Sequence, residues 1–379
     1  MSNYQQIVPI ANKITKKYPL CNYCLGRLFS KQLHLSSNKL LGKKLNRNST
    51  EKCYVCKNLF DNLNHFLKLM HDKSIDYSFK TFNIGVMIKP SIVDRDDFIR
   101  SQYKLKGIDS IKTDITKEMG KLYSKNTKKT IDHLDPDITF TINFKEELCE
   151  LRSKSITLSG RYVKSERGFS QKQKSCDNCS GKGCRICNLH GIVEYDSVEG
   201  TISKLLFQKF GGTTAKFTWI GGEDKSSLVL GTGRPFFVKI QNPHKRNVRL
   251  SDVSIDSIKI NHLKSVYESP KKPLKFNSII RVKISTESQI DSKSLKKLKD
   301  LTIAPVIVYE KSGKRSEKKI FDVKSKKNSK NLFTLVIKAE GGLPIKRFVI
   351  ADDITPGIST ILGTPCECVE FDFLEIEIQ

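Results

Sequence analysis

Two adjacent carboxylates on a glycine-bounded turn are the residues of this chain that could most directly do chemistry. The stretch IGGEDKSSLVLGTGRPF, residues 220–236, places Glu223 and Asp224 immediately after two glycines. A carboxylate on a rigid turn can be held in a cleft as a nucleophile, where a nearby Arg or Lys keeps it ionised. The alternative is an exposed acidic turn, which the spacing alone favours.

The same stretch contains VLGTGR, which is similar to half of a glycine-rich phosphate loop. Such a loop leads from a strand into a helix whose N-terminus binds the anion. Here Pro235 and the residues FFVKI lead into another strand. The sequence therefore argues against a nucleotide site at this position.

Eight of the eleven cysteines form two close-spaced groups of four. The first consists of two C-x-x-C pairs and the second has the sequence CDNCSGKGCRIC. Four thiolates close the coordination shell of a zinc ion, so both groups predict structural rather than catalytic zinc, one or two ions in all. His190 could replace one ligand of the second group. The predicted ligands are Cys21, Cys24, Cys53 and Cys56 in the first group, and Cys176, Cys179, Cys184 and Cys187 in the second.

The three remaining cysteines have simpler interpretations. Cys149 is predicted to be a buried thiol. Cys366 and Cys368 alternate in a strand-like segment, which favours core positions on one face over metal binding.

The chain of 379 residues carries a net charge of +27, with 67 Lys+Arg against 40 Asp+Glu. Such a field favours a polyanionic partner, either nucleic acid or an acidic membrane surface, although lysine runs can also be solvated loops. The basic runs are residues 43–47, 293–300, 311–319 and 324–330.

The sequence argues against a membrane protein. Its longest apolar stretches, such as LTIAPVIVY, are too short to span a bilayer, and the N-terminus lacks the apolar core of a signal peptide. We therefore expect a cytoplasmic protein, in which thiols stay reduced. Nothing in the sequence requires more than a monomer.

Hydrophobic periodicity predicts an α+β protein of two or three domains. Beyond residue 200 the strand-like segments alternate without βαβ spacing, which predicts a largely antiparallel sheet. Helical patterns cover 59–70, 111–123 and 198–210, the last ending at a Gly-Gly stop, and strand patterns cover 77–90, 135–144, 154–163, 215–220 and 234–242. The carboxylate turn then lies between two strands.

The residues around the turn carry a family resemblance. GGEDKSSLVLGTGRPFFVKIQNP resembles the motif of the pseudouridine synthase family that acts on positions 54 and 55 of tRNA, in which it runs G-R-E-D, L-G-x-G-R-P-F and N-P. LSGRYVKSERGFSQ (158–171), SVEGTI and EGGLPIKRFVIADDITPGISTILG (340–363) resemble the flanking segments. The N-terminal cysteine pairs, FNIGVMIKPSIVDRDDFIRS and the D-P-D-I strand resemble the family's zinc and THUMP region, an RNA-binding module. The resemblance spans nearly the whole chain.

This resemblance implies three parts. Residues 1–60 would be the four-cysteine zinc module and 58–165 the THUMP-like RNA-binding domain. Residues 166–379 would be the synthase domain on a mostly antiparallel sheet, with a four-cysteine knuckle at 176–187.

The resemblance also implies an isomerase that detaches uracil from the ribose of tRNA, rotates it and rejoins it through carbon, without an organic cofactor. Asp224 would be the nucleophile and Glu223 a neighbour that need not react. Lys346 would pair with the nucleophile. Arg234 would pair with Asp224, bind phosphate or form a structural salt bridge. tRNA is the expected partner.

Three positions depart from the family pattern. Gly222 replaces the Arg of G-R-E-D, Pro344 replaces a Tyr of the closing motif, and Ile280 replaces the base-stacking Tyr. Tyr309 or Trp219 could supply the missing aromatic ring.

Two other functions share features with this sequence. A non-catalytic tRNA-binding protein or chaperone with the synthase fold is the main alternative, and the three departures are its support. A THUMP-bearing methyltransferase or sulfur-transfer enzyme would need a strand-loop-helix cofactor motif, which the sequence lacks.

Overall fold

The computed structural model describes residues 3–33, 37–46, 52–310 and 313–379. The chain forms two compact units, Met1–Lys154 and Ser155–Gln379. Residue 47 of the basic run 43–47, and residues 311–312 of the run 311–319, lie outside the described residues. Within the described ranges, every helix is too short or too polar to cross a lipid bilayer.

The first unit packs helices against a small mixed sheet. Pro90 begins its fifth helix, a position that tolerates proline because the first helical N–H has no partner within the helix. The elements are α1 (Asn3–Lys17), α2 (Asn22–Ser30), α3 (Asn38–Leu45), a 3-10 helix (Leu59–Asn62), α4 (Leu63–Ser74), β1 (Thr81–Met87), α5 (Pro90–Gln102), α6 (Ile111–Thr127), β2 (Thr130–Ile131), β3 (Ile138–Asn143) and β4 (Leu148–Ser153).

The sheet of this unit has the order β2-β1-β3-β4, with β1 parallel to both neighbours and β3 antiparallel to β4. Alternate residues of β3 are buried, as expected of a strand with one face on a core. Cys24 and Cys53 belong to the same hydrophobic core as Phe82 and Phe140. The predicted zinc module and THUMP-like domain therefore share one core.

The second unit is built on a larger sheet. The elements are β5 (Ile156–Lys164), α7 (Val198–Phe210), β6 (Ala215–Trp219), β7 (Leu228–Ile240), β8 (Val253–Ile255), β9 (Ile258–Val266), β10 (Phe276–Thr286), α8 (Ser292–Lys296), a second 3-10 helix (Lys297–Thr302), β11 (Val306–Tyr309), β12 (Arg315–Lys318), β13 (Ile320–Ser329), β14 (Leu332–Glu340), α9 (Ile345–Ile350), β15 (Ile354–Thr355), α10 (Ile358–Leu362) and β16 (Cys366–Ile378).

The main sheet of the second unit has nine strands among the described residues, in the order β13-β14-β10-β16-β7-β5-β9-β8, with β6 beside β7. Only the pairing of β16 with β7 is parallel within that sheet as described. This confirms the predicted α+β fold with a mostly antiparallel sheet. Strands β11, β12 and β15 form a separate small sheet.

Strand β5 places the division between the units earlier than the predicted boundary at 165/166. It pairs with β7 and β9, and its Leu158 and Tyr162 are buried in the core of the second unit. Residues 156–163 of the segment 154–163, predicted as part of the THUMP-like domain, therefore belong to the main sheet of the second unit.

The segment 228–240 is one continuous strand, whereas the sequence predicted a strand only from residue 234. Gly231 and Gly233 have positive φ inside it, and a Cβ on Gly233 would lie 2.5 Å from the Tyr162 carbonyl oxygen. These glycines let β7 bend where its register with β5 shifts. The carboxylate turn is the loop between β6 and β7, as predicted.

Candidate active site

Asp224 occupies a local turn that fixes the direction of its carboxylate. Its Oδ1 accepts hydrogen bonds from the Ser226 amide at 2.9 Å and from the Ser226 hydroxyl at 2.6 Å. Its carbonyl accepts a bond from the Ser227 amide at 3.0 Å. A short polar side chain that binds the backbone two residues later is a common device for tight turns.

Lys346 is the ion-pair partner of Asp224. It lies in the first turn of α9, and its Nζ is 2.9 Å from Asp224 Oδ2. Burial raises the pKa of Asp224, but the Ser226 hydrogen bonds and Lys346 outweigh it and lower the pKa to about 2. Asp224 is therefore ionised at neutral pH while remaining 35% exposed.

Glu223 has a different environment, because its side chain is completely buried between two cations. Its Oε1 is 3.0 Å from Lys164 Nζ, and its Oε2 is 3.7 Å from Arg234 Nε. All three side chains are 0% exposed. The adjacent carboxylates thus have separate roles: one reaches solvent and the other is sealed in the core.

Buried side chains also hold the main chain of the turn. Their donors bond three carbonyl oxygens: Arg234 Nη1 to Ile220 at 2.9 Å, Gln171 Nε2 to Gly221 at 3.2 Å, and Lys164 Nζ to Asp224 at 3.2 Å. The buried Tyr162 hydroxyl accepts a second bond from Gln171, and burial together with the charge of Glu223 raises the pKa of Tyr162 well above its usual value. A buried polar network on the core side of the turn therefore fixes the position of the Asp224 backbone.

Asp224 opens onto a pocket of about 280 Å³. One side presents the charged pair of Asp224 and Lys346, and the other is apolar. The pocket is lined by Gly222, Glu223, Asp224, Leu343, Pro344, Ile345, Lys346, Arg347, Phe371 and Phe373. This combination of apolar walls and a few directed polar groups is typical of small-ligand sites.

Asp372 ties the turn to the strand that carries the two phenylalanines. Its Oδ1 accepts the Leu228 amide at 3.1 Å, and Arg167 and Arg281 form ion pairs with it at 2.7 Å and 2.9 Å. Burial raises the pKa of Asp372, but Arg167 and Arg281 outweigh it and the pKa is lowered. The parallel pairing of β7 with β16 thus sets the position of the pocket wall relative to Asp224.

The burial of Arg234 favours one of the three roles predicted for it. Arg234 was expected to pair with Asp224, bind phosphate or form a structural salt bridge. Its fully buried guanidinium faces Glu223 and lies 4.3 Å from the centre of the Phe373 ring. It cannot reach an RNA phosphate from there, so the structural salt bridge is the role that the geometry supports. By contrast, Asp224 and Lys346 are brought together.

The positions that depart from the family pattern lie around the pocket or beneath it. Gly222 and Pro344 line the pocket, whereas Ile280 is buried in the core. Tyr309 and Trp219 do not belong to the pocket lining. The aromatic rings there come from β16, at the two phenylalanines named above.

Several residues of the site were missed by the sequence reasoning. Lys164 and Gln171 lie in the segment 158–171, whose family resemblance was the available signal. Ser226 and Asp372 gave no comparable signal, because a serine in a polar turn and an acidic residue in an alternating strand are common patterns.

Both cysteine groups have the geometry of metal centres. Within each group the four Sγ atoms lie within 4.8 Å of one another. The Sγ atoms of Cys21 and Cys56 are 3.6 Å apart and those of Cys179 and Cys187 are 3.8 Å apart. Four thiolates arranged tetrahedrally at about 2.3 Å from zinc would be about 3.8 Å apart. Both groups can therefore hold a zinc ion.

The second group is further adapted to negatively charged sulfur. Cys187 Sγ accepts the amides of Cys184 and Gly191, each at 3.2 Å. His190 is not among the converging ligands, because its Nδ1 is 2.8 Å from the Tyr195 hydroxyl and its ring stacks on Phe207.

Comparison with known proteins identifies the family of this chain. Residues 157–377 match the family described as Pus10, C-terminal, and residues 66–143 match the archaeal Pus10 THUMP domain. The chain belongs to the Pus10 family. The resemblance drawn from the sequence motifs is thereby confirmed, and so is the THUMP domain in the N-terminal half.

Named Pus10 relatives match the chain over most of its length. The chain is 66% identical to "tRNA pseudouridine synthase Pus10" of Nitrosopumilus maritimus, over 100% of both chains. It is 34% identical to the protein of the same name from Cenarchaeum symbiosum, over 96% of this chain and 90% of the other. A Methanosphaera stadtmanae protein of that name is 29% identical, over 96% and 97%.

Proposed function

We propose that this chain is a tRNA pseudouridine synthase that isomerises uridine at position 54, position 55 or both in the TΨC loop, with Asp224 as the nucleophile. The carrying observation is an ionised, partly exposed carboxylate at the mouth of a pocket with apolar walls, held by Lys346 and Ser226. The names of the Pus10 relatives support tRNA as the substrate.

The proposed reaction balances without an oxidant or an organic cofactor. An Asp224 oxygen bonds to the ribose C1′ as the C1′–N1 bond breaks. The electron pair of the C1′–N1 bond leaves with the uracil. The uracil rotates, and its C5 bonds to C1′ and displaces the carboxylate. The C5 proton is lost and N1 gains one, so the product is an isomer of the substrate. This splits one difficult exchange into two nucleophilic steps.

The geometry of the turn supports Asp224, rather than Glu223, as the proposed nucleophile. A nucleophile must be ionised and must reach the ribose. Asp224 has a pKa of about 2 and opens onto the pocket. Glu223 contributes to the pocket lining, but its side chain is 0% exposed and pairs with Lys164 and Arg234, so its carboxylate is not accessible to a substrate.

The pocket walls support recognition of a planar base. Phe371 and Phe373 provide aromatic surface, and Leu343 and Ile345 provide aliphatic surface. A base that is paired or stacked in a tRNA arm would first have to be extruded into such a pocket. Lys346, 53% exposed, keeps donors available for a phosphate or a uracil oxygen while it pairs with Asp224.

We propose further that zinc occupies both cysteine groups. With two closed four-thiolate shells, zinc would stabilise each unit without entering the reaction. Metal analysis of the purified chain is expected to give about two zinc ions, and a value of one or none would contradict the assignment of the weaker group, Cys176 to Cys187.

The test is pseudouridine formation on an unmodified tRNA transcript. Product is measured by tritium release from C5 and by mass spectrometry. Wild type should form product, and Asp224→Asn should form none while tRNA affinity stays nearly unchanged. Asp300→Asn, which removes an exposed carboxylate of the same unit, is the matched control and should remain active. Transcripts with cytidine at position 54 or at position 55 identify the modified base.

Two results would overturn the proposal. Product from Asp224→Asn would remove Asp224 from the reaction. No product from wild type, with tight tRNA binding retained, would favour the non-catalytic tRNA-binding protein or chaperone.

A further inference from the structure

The second unit contains a groove that the proposed reaction does not use. Its volume is about 650 Å³, against about 280 Å³ for the pocket at Asp224. One wall is formed by α8 and the 3-10 helix Lys297–Thr302, and the other by β13, the edge strand of the main sheet. The groove and the pocket share no lining residue.

The two walls bring separate lysine runs together. Lys296 and Lys299 come from the helical wall, and Lys324 and Lys327 from β13. Three residues apart, Lys296 and Lys299 fall on one side of a helical segment, while Leu298 is buried and does not line the groove. The basic runs 293–300 and 324–330, far apart in the sequence, thus face one groove.

Little in the groove cancels this charge. Asp322 is the single acidic residue of the described lining, and its Oδ2 is 3.5 Å from Lys324 Nζ. Lys327 donates to the carbonyl of Ile290, which leaves its positive charge in place. Lysines on an edge strand commonly protect it from pairing with another chain. That role does not explain Lys296 and Lys299, which lie on the opposite wall.

An aromatic ring stands beside these cations. Phe321 on β13 lines the groove and is 46% exposed. Cations that follow a phosphate backbone, next to an exposed ring on which a base can stack, are the two elements of single-stranded nucleic-acid sites. A flat acidic membrane fits less well, because the lysines converge inside a concave groove.

We propose that this groove binds an unpaired strand of the RNA substrate, with phosphates on Lys296, Lys299 and Lys324 and a base stacked on Phe321. The proposal rests on the proposed function for the identity of the RNA. It makes the groove a second contact with tRNA within the second unit, separate from the pocket that receives the reacting uridine.

Binding of a tRNA transcript, measured by fluorescence anisotropy at several salt concentrations, tests the groove. All variants carry Asp224→Ala, so that no turnover occurs. The groove variant is Lys296→Ala, Lys299→Ala and Lys324→Ala, and the matched control removes the same charge from exposed positions of the same unit, Lys259→Ala, Lys264→Ala and Lys272→Ala.

The groove variant should bind roughly tenfold more weakly, and the slope of log Kd against log salt should fall by about 2, as expected for three lost contacts with a single strand. Phe321→Ala should weaken binding by roughly fivefold or more through lost stacking, with the slope unchanged. The control should keep both the affinity and the slope of the parent.

Equal slopes for the groove and control variants would overturn the proposal. The proposal would also be overturned if the groove variant lost binding to vesicles of acidic phospholipid but kept its affinity for tRNA, since that result would assign the groove to a membrane. If the parent chain failed to bind tRNA at all, the proposed function itself would fail, a result distinct from failure of the groove alone.

Discussion

Replacing Glu223 by glutamine tests the buried ion pairs beneath the turn that carries Asp224. Its carboxylate is 3.0 Å from Lys164 Nζ and 3.7 Å from Arg234 Nε, with all three side chains inaccessible to solvent. At an effective dielectric constant of about 20, each attraction is worth roughly 4–6 kcal/mol before desolvation. Glutamine has nearly the same shape but no charge, so it would leave two buried cations without an anion.

The free energy of unfolding of the second unit should fall by about 3–5 kcal/mol, the usual loss when one partner of a buried ion pair is removed. The fluorescence of Trp219 makes this measurable by urea titration. It is the single tryptophan of the chain, lies in the second unit and contacts Tyr162 edge-on at 5.6 Å. A signal confined to one unit avoids averaging over two units that can unfold separately.

Two further variants make the measurement specific. Glu268→Gln removes an exposed carboxylate of the same unit and should cost less than about 1 kcal/mol. Glu223→Gln combined with Lys164→Met removes one excess cation and should recover part of the stability. The double variant should not recover turnover, because the bond from Lys164 to the Asp224 carbonyl is also lost. A Glu223→Gln variant as stable as Glu268→Gln would refute the ionised buried network.

Three other outcomes follow from the same geometry. Lys346→Ala should raise the pKa of Asp224 from about 2 towards its ordinary value. Because the proposed nucleophile reacts in its ionised form, the acid limb of the pH–kcat profile should move to higher pH, and an unchanged limb would contradict the pairing. Cys53→Ser should lower bound zinc to about one ion and destabilise the first unit, whereas Cys184→Ser should lower zinc equally but affect the second unit, as separate thermal transitions would report. Gly221→Ala should destabilise the turn by about 1–3 kcal/mol in urea titration, since Gly221 has φ +74° and its Cβ would lie 2.5 Å from Phe276; a neutral effect would contradict this turn geometry.

The sequence predicted the elements whose signal is local. The helix Val198–Phe210 ends where Gly211 adopts positive φ, as its Gly-Gly stop indicated. The C-x-x-C pairs converge because their spacing already places two thiolates together. Alternating polarity was sufficient to predict a mostly antiparallel sheet. In each case the residues that decide the structure are close together in the chain.

What the sequence could not give depends on residues distant in the chain. Strand β5 was assigned to the wrong domain because the alternation of polar and apolar residues predicts a strand but does not indicate which sheet the strand joins. The continuous β7 was missed because Gly231 and Gly233 read as a turn, whereas here they bend a strand against Tyr162. Arg234 could not be placed by its neighbours in the sequence, since its partner depends on how β7 is buried.

The adjacent carboxylates show why this distinction matters for function. The sequence spacing does not distinguish Glu223 from Asp224, and in a basic protein either carboxylate could pair with a cation. The difference arises because Lys164 and Arg234 reach Glu223 from inside the core, while Lys346 reaches Asp224 from the edge of the pocket. The buried pairing restrains the turn, and the open pairing keeps an accessible carboxylate ionised. The proposed nucleophile therefore depends on both residues: Glu223 restrains the turn through its buried partners, and Asp224 provides the accessible carboxylate.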